Sequence, residues 1–243
     1  MTTINAEGVH YQKLNEDIHQ TLATGERQIA LTNVRGQRYI GVGLDAGVEI
    51  TIDGVPGNDL AAFMNGARIE VKGNAQDGVS NTMNAGKVVV HGDAGDILCY
   101  AMRGGKVFIQ GDVGYRSGIH MKAYQDNFPV LVIGGVAGDY LGEYMAGGVI
   151  VLLNLADAPQ PAGYLLGTGM HGGAIYLRGQ VDQTQVGAEV GFEALGDQEW
   201  EMIQGLVAEF CGDLGLAPRQ FAREEFLKLY PKSRRPYGNL YSY

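Results

Sequence analysis

The sequence has little cysteine and no long apolar run, and both features limit what the protein can be. Its two cysteines, Cys99 and Cys211, lie far apart in the chain and form no CxxC pair. Neither a disulfide framework nor a cysteine-rich metal site is therefore expected, and this cysteine usage fits a reducing cytoplasm. No apolar segment approaches the ~20 residues of a transmembrane helix, and no basic or apolar leader opens the chain, so we predict neither a membrane span nor a secretory signal.

Basic residues are scarce as well. The 243 residues include 18 Lys and Arg against 27 Asp and Glu, for a formal net charge of −9. Because a nucleic-acid partner requires a basic surface to neutralise its phosphates, nucleic acid is not expected to bind. The five histidines show no metal-ligand spacing, so no metal site is predicted. Glycine, in contrast, is abundant at 38 residues.

The glycines belong to an internal repeat that is marked by methionine. Met64, Met83, Met102 and Met121 are each separated by 19 residues, and two later methionines, Met145 and Met170, continue the series after insertions. Side chains five and seven residues after these methionines are apolar, namely Ile69, Val71, Val88, Val90, Val107, Ile109, Ile150, Leu152, Ile175 and Leu177.

Two copies of the repeat are less regular. In the first copy the alignment puts Asp45 at the methionine position, with Ile50 and Ile52 in the strand. In the fourth copy an insertion of four residues delays the strand to Val130 and Val132. Glycines recur at offsets of −7, −3 and +9 from the methionine, where we expect sharp turns with positive φ.

A short alternating strand in each 19-residue period is typical of a β-helix, in which every coil pairs with the next. We therefore predict an all-β solenoid, a parallel β-helix of about seven coils over residues 36–185. The methionines and strand residues should form interior ladders. Residues 1–35 should form a short α/β cap that includes a helix over 11–23. Residues 186–243 should form a helical segment and tail, with one helix capped by Asp197 and a second from Pro218 to about Tyr230.

Familiar catalytic motifs have a simpler explanation in this repeat. The string GTGMHG matches the dinucleotide pattern GxGxxG, but it precedes a strand instead of opening a helix. Ser117 and His120 lie close together in GYRSGIH, but the spacing of a nucleophile elbow is absent. We interpret them as a turn serine and a solvent-facing or interface histidine, and we predict no catalytic residue.

Several side chains are candidates for a partner interface. Arg68, Lys87 and Lys106 occupy the same position in three successive coils and should stack outward as a cationic column. This column is either a solvated face balanced by neighbours such as Glu70, or a docking stripe for an acidic partner. The other candidates surround the insertion at 122–129 or lie in the C-terminal tail, which either anchors another subunit or folds over the chain's own end. They are Arg116, His120, Lys122, Arg234, Arg235 and Tyr237.

The coils GDYLGEYMAGGVIVLL and GYLLGTGMHGGAIYLRG resemble the GXGXG domain, a right-handed parallel β-helix at the C-terminus of the large subunit of glutamate synthase. The resemblance covers roughly residues 36–180. The ending LYPKSRRPYGNLYSY resembles stand-alone proteins of this glutamate synthase domain more than the related β-helix subunit of formylmethanofuran dehydrogenase.

This resemblance implies a non-catalytic scaffold subunit of a glutamate-synthase-like complex. A glutamine amidotransferase-type chain and a synthase-type chain carrying FMN and an iron–sulfur cluster would be its partners, and this chain would bind no cofactor itself. Thr2 stands where an amidotransferase has its nucleophilic cysteine. The alternatives are a scaffold of a formylmethanofuran dehydrogenase or formyltransferase/hydrolase complex, and a stand-alone β-helix enzyme with a surface cleft. Self-association of the chain is compatible with each.

Overall fold

The structure, a computed structural model, describes residues 1–233 of the chain. It contains eleven strands in one sheet and two α-helices in these residues. Their bounds are β1 Thr2–Asn5, α1 Tyr11–Ala23, β2 Gln28–Arg35, β3 Glu49–Val55, β4 Asn65–Val71, β5 Ala85–Val90, β6 Gly105–Ile109, β7 Pro129–Ile133, β8 Ala146–Leu152, β9 Gly172–Arg178, β10 Val190–Glu193, α2 Asp197–Leu214 and β11 Phe226–Pro231. Short 3-10 turns lie at Gln183–Gln185 and Arg223–Glu225.

The strands confirm a parallel β-solenoid. From β3 to β9 each strand pairs in parallel with the next one along the chain, in sequence order. These seven strands delimit six complete turns, so the solenoid is slightly shorter than the seven coils expected. Seven repeats supply seven strands, but a complete turn runs from one strand to the next, so seven strands bound only six turns.

The interior ladders are present as predicted. All six repeat methionines are fully buried, and so are the apolar strand residues at the two interior positions of each regular coil. Ile69, Val88 and Val107 follow one another in register, so that each covers its neighbour along the solenoid axis. Complete burial of such side chains stabilises the fold by roughly 1.5–3 kcal/mol each, and this repeated burial forms the core of the solenoid.

Two assignments in the irregular copies are wrong by one residue. Leu44, not Asp45, occupies the methionine position: Leu44 is buried, its carbonyl accepts the amide of Asn65, and Asp45 is exposed. In the fourth copy Leu131 and Ile133 face the interior, because they pair with Val107 and Ile109. Val130 and Val132 face outward, since a shift of one residue moves every side chain of a strand to the opposite face.

The turn before each methionine has a regular backbone pattern. Residues five, three and one before the methionine have positive φ, as in Asp59, Ala61 and Phe63 (60°, 60° and 56°). Their amides donate alternately to the next and the preceding coil: Asp59 N to Asp77 O (2.9 Å), Ala61 N to Ile40 O (2.8 Å) and Phe63 N to Asn81 O (2.8 Å). These bonds offset the cost of left-handed backbone in non-glycine residues, which is about 1–2 kcal/mol each.

Most glycines at the −7 and +9 offsets have a different role from the one predicted, whereas Gly179 at +9 does have positive φ (124°). Gly95 and Gly114, for example, do not have positive φ. The Asp77 carboxylate accepts the Asp96 amide at 2.9 Å, and a Cβ added to Gly95 would lie 2.1 Å from that same carboxylate oxygen. A carboxylate oxygen of the preceding coil therefore occupies the space of a side chain and requires glycine at four of these positions, Gly95, Gly111, Gly114 and Gly163.

The C-terminal segment covers the outer face of the sheet. Helix α2 begins at Asp197 with Gly196 as its N-cap, so Asp197 is the first helical residue and not the predicted cap. Its apolar side packs on outward-facing strand residues, and Phe210 lies 5.8 Å, between ring centroids, from Phe108. The second predicted helix is wrong: Phe226–Pro231 is strand β11, which pairs antiparallel with β9 and β10 and thereby protects the sheet edge.

The packing of α2 on the sheet can be tested through Phe210, whose side chain is completely buried. We expect Phe210→Ala to lower the free energy of unfolding by about 3–5 kcal/mol, because a large ring leaves a cavity between helix and sheet. The exposed Gln204→Ala on the same helix is the control and should change it by less than about 0.5 kcal/mol. Urea denaturation measures both values, and equal losses in the two variants would contradict this packing.

Candidate functional site

The cationic column exists, and its acidic partners belong to the same chain. Arg68, Lys87 and Lys106 pair in register on adjacent strands. Lys87 Nζ lies 2.5 Å from a carboxylate oxygen of Glu209 and 2.6 Å from one of Asp213, both on α2. Arg68 also contacts Asp213 (3.0 Å), and Lys106 contacts Glu209 (2.6 Å). The column therefore fastens α2 to the sheet, and a role in binding a separate subunit stays a prediction.

The Glu209 and Asp213 carboxyls titrate abnormally in this arrangement. Partial burial acts to raise the pKa of Glu209, but hydrogen bonds from Lys106 and Lys87 outweigh it and lower this pKa below its ordinary value. Burial opposes a lowered pKa at Asp213 too, where Lys87 and Arg68 provide the larger opposite effect. Both groups are consequently ionised in the folded chain at neutral pH. Glu70, the expected balancing neighbour, instead contacts Lys72 and His91.

An open groove of about 810 Å³ lies on the surface that carries the turn before each methionine. Three of its side chains stand one residue before a repeat methionine, namely Ala101, His120 and Tyr144. A second row stands one residue after it and consists of Asn84, Arg103, Lys122, Ala146 and His171. Tyr100 and the inserted residues Tyr124 and Asn127 complete the walls. The structure thus brings two of the predicted interface residues, His120 and Lys122, into one site.

His120 is the centre of an aromatic row in this groove. Its ring stacks on Tyr144, with centroids 5.3 Å apart and planes 13° from parallel, and it meets the edge of Tyr100 at 5.9 Å. The backbone of His120 and Tyr144 is left-handed (φ 57° and 50°), so these rings project from the turn that holds the coils together. Ser117 takes no part: it is buried, and its hydroxyl donates to the carbonyl of Gly114 (3.1 Å), as expected of a turn serine.

Arg116 belongs to a neighbouring surface, which we call the tyrosine patch and define by Tyr115, Arg116, Tyr140, Tyr164 and Leu165. The Arg116 guanidinium lies over the rings of Tyr140 and Tyr115, at 5.0 and 5.7 Å from their centroids. Its Nε is 3.0 Å from a Glu143 carboxylate oxygen, but without the alignment of a hydrogen bond. Tyr115, Tyr164 and Leu165 are 43, 53 and 39% exposed. Comparing positions five and six before each methionine would have revealed these tyrosines in the sequence.

The remaining predicted interface residues, Arg234, Arg235 and Tyr237, lie outside the described residues 1–233. Within that range no group of three or more His, Cys, Asp and Glu side chains is placed to hold a metal ion. Neither α1 nor α2 has the length and apolar character that crossing a membrane requires.

The contribution of ion pairs to the attachment of α2 can be tested by replacing Lys87. We expect Lys87→Met to destabilise the fold by about 1–3 kcal/mol, because Glu209 and Asp213 would lose their shared partner while half-buried. Lys13→Met removes the exposed pair with Asp17 on α1 and should have a much smaller effect, because solvent screens this pair. Chemical denaturation of both variants gives the comparison. A harmless Lys87→Met would mean that the column contributes little to docking.

The lowered pKa values of Glu209 and Asp213 also predict a pH dependence. Their stabilising effect is complete above the ordinary values of 4.5 and 3.8, and it is lost as the pH falls through the lower values of the folded chain. We therefore expect the unfolding free energy to fall more steeply below about pH 4.5 in the wild type than in Glu209→Gln/Asp213→Asn. Denaturation across acidic pH measures the slopes, and identical slopes would rule out a contribution from these carboxyls.

The chain is similar to known proteins along nearly all of its length. A family model described as GXGXG motif matches residues 9–233. The uncharacterized protein MJ1350 of Methanocaldococcus jannaschii is 49% identical over 249 aligned positions, which cover 98% of this chain and 95% of that protein. The family match includes every coil of the solenoid together with α1, α2 and β11. This chain therefore belongs to the GXGXG motif family.

Proposed function

We propose that this protein is a non-catalytic scaffold subunit of a glutamate-synthase-like complex in the cytoplasm. Its partners are a glutamine amidotransferase-type chain and a synthase-type chain that carries FMN and an iron–sulfur cluster. Membership of the GXGXG motif family over residues 9–233 points to this class of complex. The observation that carries the scaffold role is the tyrosine patch on the rigid outer surface of the solenoid.

The composition of the tyrosine patch is typical of a protein interface. Tyrosine and arginine are, together with tryptophan, the residues enriched at the energetic centres of such interfaces. Arg116, Tyr140 and Tyr164 follow one another across coils: the Arg116 amide donates to Asp139 O, and the Tyr140 amide donates to Tyr164 O, both at 2.8 Å. These bonds fix the backbone of the patch before a partner arrives, which reduces the entropy lost on binding.

The cysteines support the placement of cofactors on the partners. Burial raises the pKa of the Cys99 thiol, so that this thiol stays protonated and is a poor ligand or nucleophile. Cys211 is buried in the contact between α2 and the sheet. Two free, buried thiols also suit a reducing compartment, in agreement with a cytoplasmic protein.

The proposal is tested by reconstitution with the amidotransferase-type and FMN-dependent synthase-type chains of the same genome. We expect the chain alone to show neither glutaminase nor glutamate synthase activity, and the three chains to co-elute on size-exclusion chromatography with synthase activity that depends on all of them. Robust turnover by the isolated chain would favour a stand-alone enzyme. Full activity of the partners without it would refute a scaffold role, and specific assembly with the other chains of a formylmethanofuran dehydrogenase would favour that complex.

The tyrosine patch is tested within the same assembly. We expect Arg116→Glu to raise the dissociation constant of the assembly at least about tenfold and so to reduce co-elution, because loss of an arginine at an interface hot spot costs about 2 kcal/mol or more. The exposed Arg35→Glu on β2 is the matched control and should leave assembly unchanged. Normal assembly of Arg116→Glu would place the contact elsewhere on the solenoid.

A further inference from the structure

The groove around His120 has a charge opposite to that of the chain. Arg103 and Lys122 line it, and its lining includes no carboxylate. The chain as a whole has 27 acidic residues against 18 Lys and Arg. Neither Arg103 nor Lys122 forms an ion pair within residues 1–233, in contrast to the column that α2 neutralises. A site with unpaired cations on an acidic protein favours an anionic ligand.

The two cations occupy equivalent positions in consecutive coils. The Arg103 amide donates to Met83 O (2.8 Å) and the Lys122 amide donates to Met102 O (2.9 Å), so both residues follow the methionine ladder by one position. Adjacent coils lie ~4.8 Å apart, a separation at which two cations can bind neighbouring phosphate groups. The guanidinium of arginine matches two phosphate oxygens at once, and lysine adds a point charge.

Flat rings stand beside these cations. His120 and Tyr144 are stacked, and Tyr100 meets His120 edge-on. Tyr124, 65% exposed, stands on the insertion, which is attached to the solenoid because the Asn127 side-chain amide donates to the carbonyl of Asn84 (3.0 Å). Such rings bind a planar heterocycle by stacking, as in sites for nucleobases.

We propose that the groove binds a nucleoside diphosphate. Arg103 and Lys122 hold the diphosphate, and the base packs against the aromatic row at His120, where the exposed ring of Tyr124 is available to stack on it. The volume of about 810 Å³ falls in the usual range for a small-molecule site. This inference does not rest on the scaffold role, because the groove and the tyrosine patch are formed by different side chains.

The test is isothermal titration calorimetry of the full-length chain with ADP, adenosine, pyrophosphate and a short oligonucleotide. We expect saturable binding of ADP with one site per chain, and at least about tenfold weaker binding of adenosine and of pyrophosphate, because each lacks half of the contacts. Absence of saturable ADP binding at millimolar concentration overturns the proposal. Equal affinity for pyrophosphate and ADP overturns it as well, since it would indicate a simple anion site, and so does a preference for an oligonucleotide over ADP.

Substitutions in the groove test whether ADP binds there. Arg103→Gln/Lys122→Gln changes two exposed side chains and should weaken ADP binding at least about tenfold without a change in melting temperature. His120→Gly removes a stacking ring at a left-handed position that glycine adopts freely, so the fold should persist while ADP binds at least about fivefold more weakly. Thr82→Gly is the control, since it makes the same change in the same row outside the groove lining. Wild-type ADP affinity in either groove variant overturns the proposed site.

Discussion

Hydrogen bonding between coils at left-handed backbone positions is the constraint on which this fold depends. In the turn Asp59–Phe63 the left-handed amides bond alternately to the coil ahead and the coil behind. A coil in isolation has neither partner and would have to bear the conformational cost of these positions alone. Each turn is therefore stable only between two others, so that the solenoid and its repeated glycines form one cooperative unit.

Stacking of equivalent residues brings like charges together, and the chain stabilises these charges in two ways. The basic column ending at Lys106 is matched by Glu209 and Asp213 of α2. The carboxylates of Asp77 and Asp96 accept backbone amides of the following coil at 2.9 and 3.0 Å. Both the ion pairs with α2 and the hydrogen bonds between coils stabilise the solenoid. Within residues 1–233, Arg103 and Lys122 have no such carboxylate partner. They differ in this respect from the Arg68, Lys87 and Lys106 column.

Much of the fold could be predicted from the sequence, because the interior of a solenoid repeats with the chain. The methionine spacing predicted the ladders, and the apolar periodicity of residues 11–23 predicted α1. Register failed in β7, where all five residues are buried, since neither face of such a strand is marked by polar side chains. The position of α2 was missed for the same reason: outward residues such as Phe108 are as apolar as the inward ones.

The candidate sites lie on the turns because the strands have little free surface. From β5 to β9 one face of the sheet lines the interior and the other contacts α2. Rows such as His120 and Tyr144 remain accessible, and alignment on the methionines places them side by side. Tyr124 could not be placed in this way, since it belongs to an insertion outside the repeat. The turns that join the coils thus also position side chains for binding, so that one backbone constraint underlies both stability and recognition.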